Sequence, residues 1–134
     1  MAKKAYVYNG SAWEDLASSL SPGTIGPVGP AGDPTLVVIA AKTSAYTVAD
    51  GDQSDLIQLN GTFTVSIPTD ATFNFAIGTQ INLLQIGAGV ITTAGVAGVT
   101  LNGTPGLKLR AQWSSATFIK RAVNTWVIVG DLSV

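Results

Sequence analysis

The chain has 134 residues, 46% of them hydrophobic and 11% charged, with a net charge of −1 and neither cysteine nor histidine. Disulfides, thiol catalysis, a Ser-His-Asp triad and cysteine or histidine metal sites are thereby excluded. The charge balance gives no global pull toward nucleic acid or an anionic membrane, and so small and charge-poor a domain is expected to bury surface between subunits.

The amino terminus, Met-Ala-Lys-Lys-Ala-Tyr, has no apolar core of a secretory signal, and the longest apolar run, Leu36–Ala41, is far short of a membrane span. Synthesis in the cytoplasm and no membrane insertion are the expectations. Residues 1–21 form a first unit. The β-prone run from Ala5 to Tyr8 meets Asn9-Gly10, a two-residue turn signal, and Ser11–Leu16 follows. This predicts a hairpin whose apolar content is Tyr6, Tyr8, Trp13 and Leu16. A lone hairpin is marginal in water, so these residues are the expected contacts of an anchor that binds its own copies or a larger assembly. The alternative is a hairpin folded back on the rest of the chain.

Residues 22–34 form the second unit. Glycine recurs at Gly23, Gly26, Gly29 and Gly32, with Pro27 and Pro30 directly after glycine and Pro34 closing the last triplet. Glycine at every third position is the signature of a collagen-like triple helix, because only glycine fits where three chains meet at the axis. The competing reading is a flexible linker. Four triplets span only about 35 Å, at roughly 3 Å per residue. So short a stalk needs a trimeric neighbour to hold it, and the chain is expected to be a homotrimer.

Residues 35–134 read as all β. Roughly nine short strands with frequent turn signals predict a sandwich, jelly-roll-like in order. Leu56–Leu59, Asn60-Gly61 and Thr62–Ile67 predict a hairpin in which Phe63, Val65 and Ile67 share one face. Leu107–Trp113, Thr117–Ala122 and Thr125–Val129 are further predicted strands.

Four stretches carry a resemblance: Gly78–Gly89 (GTQINLLQIGAG), Leu107–Thr117 (LKLRAQWSSAT), Asn124–Leu132 (NTWVIVGDL) and Tyr8–Leu16 (YNGSAWEDL). The first three resemble the C-terminal β-domain of tailed-bacteriophage structural proteins of tail-fibre and capsid-fibre types. The fourth is similar to amino-terminal segments of small phage fibre proteins. The resemblance covers nearly the whole chain. It implies a trimeric virion-surface protein with no catalytic residues to carry over. Its partners would be its own copies and the major capsid protein or a tail component, and a host-surface glycan would be a possible ligand.

Asp50, Asp52 and Asp55 surround a glycine turn and could offer oxygen ligands to calcium, but the EF-hand spacing is missing and a solvated turn is the simpler reading. Lys108 and Arg110 lie at i and i+2 and so share a strand face opposite Leu107 and Leu109. They could meet an acidic partner or a phosphorylated glycan, or be a solvated face. Lys120 and Arg121 are read as solvated in the same way. Gly87-Ala-Gly89 lacks the third glycine of a dinucleotide loop, since Thr92 stands there. Asn9, Asn60 and Asn102 match the glycosylation sequon but read as turns. Trp113 and Trp126 are expected in strands, either in the core or stacking on sugar. A polysaccharide depolymerase would need a long β-helix and a paired-carboxylate cleft, and neither is legible. No cofactor is expected.

Overall fold

A computed structural model of the chain describes residues 6–8, 13–15 and 36–134. The chain divides into two units, Met1–Pro34 and Thr35–Val134. In the first, β1 (Tyr6–Tyr8) pairs antiparallel with β2 (Trp13–Asp15), with Tyr8 opposite Trp13. Leu16 and the glycines 23, 26, 29 and 32 lie outside the described residues, as do the side chains of Tyr6, Tyr8 and Trp13.

The second unit is all β, with a single 3-10 turn at Asp52–Ser54. Its strands are β3 (Val38–Lys42), β4 (Tyr46–Thr47), β5 (Asp55–Leu59), β6 (Phe63–Ile67), β7 (Gln80–Gln85), β8 (Ile91–Gly95), β9 (Thr100–Gly103), β10 (Lys108–Leu109), β11 (Ser115–Ala122), β12 (Thr125–Gly130) and β13 (Leu132–Ser133). They form a six-stranded sheet, β3-β5-β7-β11-β12-β9, and a five-stranded sheet, β13-β10-β8-β6-β4. One core lies between them. Ile57, Leu83, Phe118, Trp126 and Ile128 enter from the larger sheet, and Val65, Ile67, Ile91, Leu109 and Leu132 from the smaller. Phe75 closes it, edge-on to Trp126 at 5.6 Å between ring centroids.

The topology departs from a jelly roll. From β3 to β8 the chain alternates between sheets, so β3, β5 and β7 pair in parallel, as do β4, β6 and β8. Leu56–Ile67 is therefore no hairpin. β5 pairs with β3 and β7, and β6 with β4 and β8. Asn60-Gly61, with Gly61 at φ 145°, turns the chain from one sheet into the other instead of back along the same one. A parallel pair needs a long crossover between its strands, and here each crossover is the intervening strand of the opposite sheet. Only later does the order become antiparallel, through β7-β11-β12 and β8-β10-β13.

The predicted run to Trp113 is also shorter than expected. β10 ends at Leu109, and residues 111–113 form a turn with Trp113 at φ 71°. Lys120 is not solvated. It follows Ala116 and Phe118 on the inward face of β11 and is 2% exposed.

Candidate functional site

The connections between the sheets stack into a column at one edge of the sandwich. Asn60 N donates to Lys42 O (3.0 Å), Ile86 N to Leu59 O (2.8 Å), Phe63 N to Val90 O (3.1 Å) and Val90 N to Thr62 Oγ1 (3.0 Å). The corners approach so closely that side chains do not fit. A Cβ on Gly87 would collide with the Asn60 amide, and one on Gly89 with the Gly61 carbonyl. Gln85, buried at the end of β7, fixes this loop from inside by donating through Nε2 to Gly87 O (2.9 Å) and Gly89 O (2.6 Å).

The turn Ala111–Ser114 continues the column. Trp113 N donates to Gln85 O at 2.7 Å, Gln85 N to Ser114 O at 2.9 Å, and Gln112 Nε2 to Ile86 O at 3.0 Å. Ser114 is buried. Its Oγ accepts from Ala111 N (3.0 Å) and donates to Asp131 Oδ2 (2.7 Å). Asp131 is gripped on its other side by Arg110, Nε to Oδ1 at 2.6 Å and Nη2 to Oδ2 at 2.8 Å. The Arg110 hydrogen bonds, then Ser114, hold the Asp131 carboxyl below the usual carboxylate range. This frame holds Trp113 in a left-handed backbone conformation with its side chain 66% exposed. A non-glycine residue there costs roughly 1–2 kcal/mol. An indole kept outside the core returns little of that cost through packing.

Beside the turn lies a shallow groove of about 490 Å³ lined by Val90, Lys108, Arg110, Ala111, Gln112 and Ser133. Lys108 and Arg110 are exposed on the same face while Leu109 is buried between them, as the alternation predicts. The pair is unequal, since the Arg110 guanidinium is committed to Asp131.

A second concavity, about 540 Å³, is lined by Asp70, Asn74, Phe75, Ile77, Lys120 and Val123. Lys120 Nζ meets Asp70 Oδ1 (2.8 Å), Asn74 Oδ1 (2.9 Å) and Phe75 O (2.6 Å). An ammonium has three N–H bonds, so it is fully engaged and its role here is structural. Its parity with Ala116 and Phe118 was the sequence signal for its burial.

The acidic cluster at 50–55 does not converge. The Asp52 carboxylate turns inward, 5% exposed, and accepts from Tyr46 Oη (2.8 Å) and Ala49 N (2.7 Å). Asp50 accepts from Gln53 Nε2 at the surface, and Asp55 opens β5. Burial, then the hydrogen bond to Asp52, pushes the Tyr46 phenol up to about 12. Among the described residues no group of three acidic side chains is placed to hold a metal ion, and no helix is long and apolar enough to cross a membrane. Trp126 is a core residue, 1% exposed. The chemistry the groove and its turn offer is stacking, hydrogen bonding and positive charge.

No protein-family model matches the chain, and no curated protein does.

Proposed function

We propose that the chain is a structural protein of a tailed-phage virion. Three copies make a short fibre that docks by its amino-terminal hairpin, rises through a collagen-like stalk and displays the β-domain on the capsid surface. The observation that carries this reading is the unbroken glycine register at Gly23, Gly26, Gly29 and Gly32. The resemblance of the flanking segments to phage fibre proteins supplies the setting. The partners are two further copies of the chain and the major capsid protein, and no nucleic acid, membrane insertion, cofactor or catalysis is involved. Antibodies raised against residues 35–134 test it by electron microscopy of the particles. Labelling distributed over the shell, at hundreds of copies, is the expected result. Labelling of a handful of copies at the tail would move the protein to the tail, and unlabelled particles would refute the virion role.

A second reading is favoured by Trp113: a minor tail fibre whose head recognises a host-surface glycan. An exposed indole on a rigid turn whose Gln112 lines the groove with Lys108 is the combination that stacks on a sugar ring and hydrogen-bonds its substituents. Binding to an oligosaccharide array that is lost in Trp113→Ala favours it. Equal binding by both proteins would show that Trp113 takes no part in glycan recognition.

A further inference from the structure

The two outer faces of the sandwich differ in charge. Residues paired directly across a sheet point to the same side, and β-strand side chains alternate, so the register sorts every position. On the five-stranded sheet Lys108 lies opposite Thr92, and Thr92 opposite Thr64, which places the exposed cation Lys108 among outward threonines. On the six-stranded sheet Ile57, Leu83, Phe118 and Ile128 point inward, so their neighbours point out. The outward set holds the apolar side chains Ile39, Leu56, Leu84, Ile119, Val127 and Val129, with Ile39 paired to Leu56 and Ile119 to Val127, while Asn82 and Thr117 stand between Leu56 and Val129. The other outward positions along the paired strands are alanine, serine, threonine, asparagine and glutamine. No charge stands among them. Arg121 lies beyond the β7–β11 pairing, at the bulge between Lys120 and Ala122.

A parallel sheet ordinarily has both faces covered, and β3-β5-β7 is parallel with only its inner face covered by this unit. Val129 is 46% exposed and Ile39 50%. At the edge, β3 follows Leu36 and Val37, also exposed, and the glycine triplets end at Pro34, only a few residues earlier. If three chains share one axis at Pro34, a few residues of chain at under 4 Å each cannot carry the β3 strands far from it. The face next to that strand is then the one the copies present to each other.

We infer that the outer face of the six-stranded sheet, with its β3 edge, is the surface through which copies of this chain pack together. The occupant is a second copy, because an uncharged face is compatible with itself and the triplets deliver copies beside this edge. The inference rests on the trimer reading and adds where the contact lies.

Light scattering on the full chain and two variants tests it. Wild type is expected at the mass of three chains. Val127→Glu, a charge on the β12 strand of this face, is expected at the mass of one chain with an unchanged far-ultraviolet circular dichroism spectrum. Thr92→Glu, on the opposite sheet, is expected to stay at three. A folded Val127→Glu that remains at three chains overturns the inference while leaving the trimer standing. A wild type that is a single chain overturns the trimer itself. Should Val127→Glu fail to fold, thiol labelling decides, since the chain has no cysteine of its own. Val129→Cys is expected to react at least tenfold more slowly than Thr47→Cys on the opposite face. Equal rates overturn the inference.

Discussion

Lys120 Nζ and Asp70 Oδ1 lie 2.8 Å apart, with the lysine side chain 1% and the aspartate 14% exposed. The pair joins β11 to the segment after β6, and Asn124 secures it from the far side. Asn124 Oδ1 accepts from Asp70 N (2.8 Å), and Asn124 N donates to Asp70 Oδ2 (3.2 Å). Removing one partner of a buried pair strands the other charge, at a cost of about 3–5 kcal/mol. Asp70→Ala is expected to lose about that much in urea unfolding. Lys120→Met is expected to lose less, because Asp70 keeps some water and its bond to Asn124 N. A reversed order would show that the ammonium, not the carboxylate, is the better solvated member.

Acid should act through the same residue. The hydrogen bond from Lys120 holds the Asp70 carboxyl below its ordinary value. A carboxylate depressed in the folded state adds stability that is complete above its unfolded pKa, about 4, and is lost as pH falls through the folded value. Unfolding free energies of the wild type are expected to decline below about pH 4, and Asp70→Asn to flatten that decline. At the alkaline end the sign reverses. The Tyr46 phenol is raised to about 12, so its contribution is complete below about pH 10 and is lost as pH rises toward 12. Tyr46→Phe is expected to remove this part of the alkaline loss.

The stacked corners make an ordered pair of predictions. Gly89→Ala drives a methyl group into the Gly61 backbone carbonyl, which cannot move without shifting the corner. A loss of roughly 1–3 kcal/mol is expected. Gly87→Ala meets first the Asn60 side chain, which can swing away, and a smaller loss is expected. Thermal unfolding of both variants checks the order.

Much of this architecture was legible in the chain. Alternation placed Val65 and Ile67 in the core, and set Lys108 and Arg110 against Leu109. What alternation does not encode is the partner strand. Asn60-Gly61 specifies a local reversal of the chain, and whether the next strand returns along the same sheet or enters the opposite one depends on the corners it stacks upon. Lys120 reads as solvated although its parity with Phe118 along β11 points it inward, because its acceptors lie on the separate 70–75 segment, which no local pattern ties to it. Trp113 shares parity with Leu107 and Leu109, but the turn begins at Ala111 and ends that count. The left-handed turn follows from bonds to Gln85 and Ser114 that only the fold brings together.

Trp113 separates stability from recognition. Glycine adopts φ 71° without strain, so Trp113→Gly is expected to leave the unfolding free energy unchanged or to raise it by up to about 1 kcal/mol. A loss of several kcal/mol would mean that the indole is a packing residue after all, and the glycan reading would lose its main support.

The proposed role requires three chains to act as one. Light scattering of the full chain across a micromolar concentration series measures this directly. A mass three times the 13.7 kDa of a single chain, constant with dilution, is the predicted result. A mass of 13.7 kDa throughout would contradict it.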